Sequence, residues 1–156
     1  MADIGSAERA ARLRAMTLLQ KHRYSEKQLG DKLKESGYPQ DVIQDALSYV
    51  KSFRYVDDLQ LAVDYITYHE GDKSKRRLTM DLNKKGISAN VISQAFDQWQ
   101  ALGGQQDEQE MIKKLLAKKH YDPECDLKEK QRIYAFLLRK GFSVDNVNSV
   151  LRVYEV

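Results

Sequence analysis

The sequence predicts an all-α protein built as an elongated, curved array of three tandem three-helix repeats. Apolar residues recur at helical spacing along the chain, which holds only two prolines and eight glycines to interrupt long helices. Three of those glycines, Gly37, Gly86 and Gly141, lie 49 and 55 residues apart, a period typical of repeated helical modules. A charged fraction of 31% with a mean hydropathy of −0.65 also favours a molecule with much surface for its length.

Aligning the chain on these three glycines brings apolar residues into five shared columns. The columns lie eight and four residues before the glycine, and one, six and ten residues after it. We expect each glycine to end a helix in the left-handed conformation, with the next residue folding back as an apolar contact. In that order the columns are Leu29, Leu78 and Ile133; Leu33, Leu82 and Leu137; Tyr38, Ile87 and Phe142; Ile43, Ile92 and Val147; and Leu47, Phe96 and Leu151.

The first repeat is predicted over residues 8–54. Its first helix covers Glu8–His22. Ser25 and Gln28 then match the capping-box pattern that opens a second helix, which ends at the glycine. Pro39 presets the entry to a third helix, because proline is favoured where a helix begins. The residues of the first helix predicted to face inward are Leu13, Met16 and Leu19, with Leu18 as a further candidate.

The second and third repeats are predicted over residues 57–102 and 107–154, separated by the polar, glycine-containing spacer 103–106. Asp57 and Asp58 lie where the second repeat begins. They could be interpreted as a metal or acid–base pair, but carboxylates at a helix start also cap free N–H groups and suit the helix dipole. Capping is therefore the favoured interpretation. The other N-caps predicted in these two repeats are Ser88 and Asp126.

Composition and motifs argue against several function classes. No apolar run approaches the roughly 18 residues of a membrane span. The lone Cys125 excludes an internal disulfide framework, so we expect a cytoplasmic protein without membrane contact. His22, His69 and His120 lie far apart in the sequence and fall short of the four ligands that a structural zinc site expects, which predicts no metal and no cofactor. No catalytic triad ordering, phosphate-binding glycine loop or paired catalytic carboxylates are present, so the sequence nominates no reaction.

Clustered cations are the candidate residues for contact with a partner. The net charge of +3 is too small to argue for nucleic acid by itself. Such clusters are most often solvated helix faces, and cations before a hinge glycine also suit the helix dipole. Contact with an acidic or phosphate-bearing partner is the sharper alternative. The candidate partner-binding residues are Arg76, Arg77, Lys84, Lys85, Lys113, Lys114, Lys118, Lys119, Arg139 and Lys140.

Short segments spread over almost the whole chain carry a family resemblance. They are Arg23-Tyr24-Ser25-Glu26 with Gln28-Leu29 and Lys32-Leu33, Gly37-Tyr38, Tyr55-Val56-Asp57-Asp58 with Ala62 and Tyr65, Leu82 with Lys85-Gly86-Ile87-Ser88, and Phe136-Leu137-Leu138-Arg139-Lys140-Gly141-Phe142. In their order and spacing these segments resemble the RecX family of regulatory proteins, from about Ala10 to Arg152. The link over residues 69–75 departs from the family pattern.

The resemblance implies a regulatory protein and not an enzyme. Family members look like curved helical arrays that lie along the groove of a RecA filament on DNA, where they block strand exchange and ATP hydrolysis by RecA. It implies a monomer that acts in recombination and repair, with at most weak direct contact to DNA. A free-standing helical nucleic-acid-binding module is the alternative, while a small helical enzyme has no support in the sequence.

Overall fold

The structure is a computed structural model that describes residues 5–154, with side chains described up to Arg152. Within these residues there are nine α-helices and no strand, and the prediction of an all-α helical repeat protein is confirmed. The repeat boundaries at 8–54, 57–102 and 107–154 stay a prediction. The helices are α1 Ser6–Lys21, α2 Glu26–Glu35, α3 Gln40–Ser52, α4 Asp58–Tyr68, α5 Lys75–Lys84, α6 Ala89–Ala101, α7 Glu108–Lys118, α8 Leu127–Arg139 and α9 Val144–Tyr154.

The three aligned glycines end α2, α5 and α8 in the same way. Gly37, Gly86 and Gly141 have φ of 92°, 84° and 92°, the left-handed region that costs glycine nothing. In each case the residue after the glycine donates its backbone N–H to the carbonyl five residues earlier, which is the bond of a Schellman motif. The predicted hinge is thereby confirmed in all three copies. The bonds run from Tyr38 to Leu33 (3.4 Å), from Ile87 to Leu82 (3.2 Å) and from Phe142 to Leu137 (3.4 Å).

Two further helices end in the same turn without a glycine. Arg54 follows α3 with φ of 58°, and His120 follows α7 with φ of 55°. Tyr55 and Tyr121 then donate their backbone N–H groups to the carbonyls five residues back, both at 3.0 Å. A side chain in this conformation costs about 1–2 kcal/mol. Sequence reasoning missed both turns because it looked for glycine at the end of a helix.

The chain forms two compact units, each with its own buried cluster. The first unit holds the described residues up to Ala62 together with Leu82–Ala95, and the second holds Val63–Asp81 together with the described residues from Phe96 onward. In the first unit the cluster is Ala11, Ala15, Leu29, Leu33, Val42, Ile43, Ala46, Leu47, Val50 and Val56. In the second it is Met111, Ile112, Leu115, Leu116, Ile133, Leu137, Phe142, Val147 and Val150.

Helix α1 buries two alanines, while one of the leucines predicted to face inward is exposed. Ala11 and Ala15 are fully buried, whereas the side chain of Leu13 is 69% exposed. Each residue advances about 100° around a helix, so Leu13 lies roughly opposite the alanine face. The prediction that Leu13 faces inward is therefore wrong. Met16 and Leu19 pack against the cluster as predicted. Arg12 also joins α1 to α3 by two hydrogen bonds of 2.9 Å to the carboxylate of Asp45.

Candidate partner-binding surfaces

In the first unit, the start of α2 packs on the hinge at Gly86. The capping box at this helix start is complete, with Gln28 N–H 3.1 Å from Ser25 Oγ and Ser25 N–H 3.0 Å from Gln28 Oε1. The buried Ser25 hydroxyl also donates to the carbonyl of Lys85, directly before Gly86. A Cβ added at Gly86 would lie 2.5 Å from Lys27 Cδ and 2.6 Å from Lys27 Cβ. This contact leaves no room for a larger residue at the hinge.

In the second unit, the start of α5 packs on the hinge at Gly141 in a similar way. The buried Ser74 caps α5, because its hydroxyl accepts from Arg77 N–H at 3.1 Å. Its backbone N–H donates to the carbonyl of Lys140 at 3.2 Å, directly before Gly141. A Cβ at Gly141 would collide with Ser74 Oγ and lie 2.6 Å from Arg77 Cβ. The same helix-start-to-hinge junction is thus built twice, whereas none of the described residues comes within 4 Å of a Cβ placed at Gly37.

Aspartates at the first helix of the predicted second repeat cap two different helices. Asp57 Oδ1 accepts from Gln60 N–H at 3.1 Å and so caps α4, as predicted. Asp58 Oδ1 accepts instead from Glu26 N–H at 2.9 Å, the first residue of α2. Burial is the main reason why the pKa of Asp58 is raised above its ordinary value. Both contacts are structural.

The link between α4 and α5, which departs from the family pattern in sequence, is held by several polar contacts in the second unit. His69 Nδ1 lies 3.3 Å from Asp72 Oδ1. Trp99 Nε1 donates to Glu70 Oε2 at 2.8 Å. Lys140 Nζ lies 3.6 Å from Asp72 Oδ2. These contacts join the link to α6 and to the hinge at the end of α8, so its unusual residues have a structural role.

Asp81 on α5 is the centre of a half-buried polar network. Its side chain is 11% exposed and accepts from Tyr65 Oη at 2.7 Å and from Lys73 Nζ at 3.0 Å. Arg77 Nε lies 3.2 Å from its other oxygen. Burial alone would raise the pKa of Asp81, but hydrogen bonds from Tyr65 and Lys73 outweigh it and hold the pKa below its ordinary value.

The pKa values of Tyr65 and Lys73 in this network are both raised. For Tyr65 the main cause is burial, with the hydrogen bond to Asp81 adding to it. For Lys73 burial opposes the shift, and its hydrogen bonds to Tyr65 and Asp81 prevail. The network thus favours the ionised carboxylate of Asp81, the charged ammonium of Lys73 and the neutral phenol of Tyr65. Asp81 has no role in the sequence-based predictions, although the four-residue spacing of Arg77 and Asp81 on one helix indicates an ion pair.

Four of the ten predicted partner-binding cations are held by neighbouring groups. Arg77 pairs with Asp81 as described above. Lys119 Nζ lies 4.1 Å from the centroid of the Phe136 ring, and Lys140 Nζ lies 5.6 Å from the same centroid. The backbone carbonyl of Lys85 accepts the hydrogen bond from Ser25 Oγ. The structure therefore brings two of the candidates, Lys119 and Lys140, to one aromatic ring.

The other six candidate cations are exposed and form no ion pair or hydrogen bond through their side chains with any residue in the range 5–154. On α7 three of them alternate with the buried pairs Met111-Ile112 and Leu115-Leu116, so they lie on its solvent side. They are available for contact, and their positions alone identify no partner. The six are Arg76, Lys84, Lys113, Lys114, Lys118 and Arg139.

The described part of the chain offers neither a metal site nor a membrane span. Among those residues, no three His, Cys, Asp or Glu side chains lie close enough together to hold a metal ion. No helix there combines the length and the apolar character that crossing a membrane needs.

Comparison with known protein families identifies the family of this chain. Residues 106–151 match the family model described as RecX, third three-helix domain, and residues 11–49 match RecX, first three-helix domain. Together the two matches cover more than half of the chain. The chain belongs to the RecX family. The matched ranges contain the hinges at Gly37 and Gly141, so the RecX models and the bonding pattern agree on these helices.

Curated RecX proteins align over most of the chain. The regulatory protein RecX of Caldanaerobacter subterraneus subsp. tengcongensis is 28% identical over 144 residues, covering 92% of this chain and 70% of the relative. That of Clostridium perfringens is 29% identical over 142 residues, covering 88% and 65%. The chain thus spans about two thirds of the length of these two relatives. The RecX of Mycolicibacterium smegmatis is 26% identical, covering 97% and 82%.

Solved structures of RecX proteins share the fold. The crystal structure of RecX from Lactobacillus salivarius superposes with a TM-score of 0.67 at 22% identity, covering 97% of this chain and 99% of the other. A second crystal structure of a regulatory protein RecX gives a TM-score of 0.68 at 22% identity, covering 92% and 71%. At this identity the likeness concerns the fold alone.

Proposed function

We propose that this chain is a regulatory protein that binds the filament of the RecA recombinase on DNA and lowers its ATPase and strand-exchange activity. It acts as a monomer, catalyses no reaction itself and takes part in the control of recombination and repair. The observation that carries the proposal is membership of the RecX family, whose curated members are named regulatory proteins.

Repetition of one structural module supports a polymeric partner. Each junction between a helix start and a hinge is fixed by buried hydrogen bonds, at Ser25 in the first unit and at Ser74 in the second. Modest contacts from several such modules to successive subunits of a filament would add through effective concentration. Tight binding would then need no single strong site, which agrees with the absence of a catalytic constellation in the sequence.

Exposed cations on α7 are the proposed contacts with the filament. Lys113, Lys114 and Lys118 carry no ion pair within the described residues and lie on one helix, so they can meet acidic protein surface or phosphate without losing a partner. Arg77, by contrast, would have to leave Asp81. The free cations are therefore the stronger candidates.

A direct test is co-sedimentation with filaments of the cognate RecA on single-stranded DNA. Replacing Lys113, Lys114 and Lys118 together by alanine should weaken filament binding about tenfold, from about 0.5 kcal/mol for each exposed charge. The matched control replaces the exposed Arg9, Arg14 and Lys21 of α1, and should change binding less than twofold. Circular dichroism should show unchanged helicity in both variants. Equal binding by the two triple variants would exclude α7 as the contact.

The same assay separates the rival function, a free-standing nucleic-acid-binding module. That function predicts saturable binding to DNA without RecA and a steep loss of affinity with added salt, because phosphate contacts release counterions. The proposed function predicts weak binding to naked DNA and strong binding to the filament. If naked DNA bound as tightly as the filament, the rival would replace the proposal.

A further inference from the structure

Helices α2 and α3 of the first unit border a groove that the chain itself partly fills. This cavity of about 520 Å³ is lined on one side by residues such as Lys27, Gly30 and Leu47. On the other side it is lined by Gly86 and Val91, from the hinge and from the start of α6. In this unit the groove between α2 and α3 is thus partly filled by the turn at Gly86 and by the start of α6.

Helices α8 and α9 of the second unit border the corresponding groove, of about 450 Å³. When the chain is aligned on its hinge glycines, Lys27, Gly30, Gln44 and Leu47 of the first groove become Gln131, Tyr134, Asn148 and Leu151 of the second. Within the described residues only these two helices line it, and no hinge segment does. The full lining is Leu127, Lys130, Gln131, Tyr134, Asn148, Leu151 and Arg152.

An extra turn at the start of α8 makes this groove unlike the other one. α8 has 13 residues, against 10 in α2 and in α5, and Asp126 caps it by accepting from Glu129 N–H at 2.8 Å. Glu129 therefore lies inside the helix, at the position where α2 and α5 have Ser25 and Ser74. A serine junction with another hinge cannot form here. The extra turn instead places Leu127, 70% exposed, at the edge of the groove.

The charge of the two grooves also differs. The first groove is lined by three acids, Glu26, Asp31 and Asp58. Among the residues that the structure describes, no acidic side chain lines the second groove, where Lys130 takes the position of Glu26 and Arg152 adds another cation. Its apolar lining comes from Leu127, Tyr134 and Leu151. A sugar–phosphate backbone would gain from the cations but not from this apolar surface, whereas a peptide that combines both characters would use all of it.

We propose that the groove between α8 and α9 binds a segment of the partner protein that carries acidic side chains beside an apolar one. The acidic groups pair with Lys130 and Arg152, and the apolar side chain packs against Leu127, Tyr134 and Leu151. The inference rests on the proposed function, since the partner protein is the RecA filament.

Charge reversal tests the site on the full chain with filaments of the cognate RecA. Lys130→Glu combined with Arg152→Glu should weaken filament binding about tenfold at low salt, and by less at high salt because screening weakens surface pairs. The control Arg14→Glu combined with Lys21→Glu makes the same change in net charge on α1 and should alter binding less than twofold. Thermal melts should show that both variants fold.

A second pair of variants tests the apolar part of the groove. Leu127→Ala should weaken filament binding about threefold, while Leu13→Ala, a leucine of matching exposure on α1, should leave it unchanged. Both side chains are mostly exposed, so neither change should prevent folding. Equal effects of the two leucine variants would overturn the apolar contact.

The remaining outcomes either exclude the groove as a binding site or assign it a different ligand. If the wild-type chain does not bind filaments, the proposed function fails. If it binds and the Lys130→Glu, Arg152→Glu variant binds as well, only the groove proposal is overturned. If this variant lost binding to naked DNA as strongly as binding to the filament, the groove would be assigned to nucleic acid. If the wild-type chain self-associated and the variant did not, the groove would be assigned to a second copy of the chain. Either result would overturn the peptide proposal.

Discussion

The hydroxyl of Ser25 donates a hydrogen bond to the backbone carbonyl of Lys85, 60 residues later in the chain. One side chain thus caps α2 and also fixes that helix start to a hinge glycine. In the second unit the hydroxyl of Ser74 caps α5, and its backbone N–H donates to the carbonyl of Lys140. Local capping and long-range packing therefore depend on the same residues, which makes their effects on stability measurable.

Serine-to-alanine substitutions should cost more where the serine hydroxyl makes more hydrogen bonds. Ser25→Ala removes a cap and leaves the carbonyl of Lys85 without its buried donor, so we expect a loss of about 2 kcal/mol in the free energy of unfolding. Ser88→Ala removes only an exposed cap to Val91, at 3.3 Å, and should cost about 0.5 kcal/mol. Urea denaturation measures both. Losses of equal size would show that the junction contributes nothing beyond capping.

The three hinge glycines should differ in their tolerance of alanine. Gly37→Ala introduces only the backbone cost of a left-handed alanine, about 1 kcal/mol. Gly86→Ala and Gly141→Ala add a collision with Lys27, or with Ser74 and Arg77, and should each cost at least about 1 kcal/mol more. The measurement is again urea denaturation. If Gly37→Ala lowered the free energy of unfolding as much as Gly86→Ala and Gly141→Ala, close packing at these two later hinges would not explain their loss of stability.

Two positions should gain stability from glycine. Arg54 and His120 occupy left-handed turns that glycine adopts without strain, so Arg54→Gly and His120→Gly should each raise the free energy of unfolding by about 0.5–1 kcal/mol. Ser52→Gly, at the helical end of α3, is the control and should lower stability by a similar amount. A thermal melt distinguishes the two directions. Destabilisation by both turn variants would contradict the strain argument.

Stability should fall in acid through the network around Asp81. Its pKa is lowered in the folded state, so its contribution is present above the unfolded pKa of about 4 and is lost as the pH falls through the folded pKa. Asp81→Asn should therefore cost about 2 kcal/mol at pH 7, and the gap from wild type should narrow below pH ~4. The exposed Asp31→Asn, which loses only a pair with Lys27, should cost less than about 0.5 kcal/mol. A gap of constant size from pH 7 to pH 3 would contradict this account.

Local chemistry explains which features were predictable from the sequence. The hinge at Gly86, the capping box of Ser25 and Gln28, and the cap at Asp57 each depend on residues a few positions apart. Repetition of the hinge then revealed the helical repeat. Leu13 was misplaced because α1 packs through alanines, whose small size gives a weak hydrophobic pattern.

Tertiary contacts account for what the sequence did not show. Ser25 and Lys85, Asp58 and Glu26, and the link contacts to Trp99 join residues that are far apart in the chain, and no periodicity encodes such pairs. The candidate cations were identifiable by charge alone. Only the structure separates those held by neighbours from the six whose side chains form no ion pair or hydrogen bond with the described residues.

The ATPase of the cognate RecA on single-stranded DNA tests the central claim most directly. Adding the chain to growing or preformed filaments should lower the rate of ATP hydrolysis at less than one molecule of chain per RecA, since one bound molecule contacts more than one subunit. The Lys113, Lys114, Lys118 triple alanine variant should need a several-fold higher concentration for the same effect. A titration to stoichiometric excess that left the rate unchanged on both kinds of filament would contradict the claim.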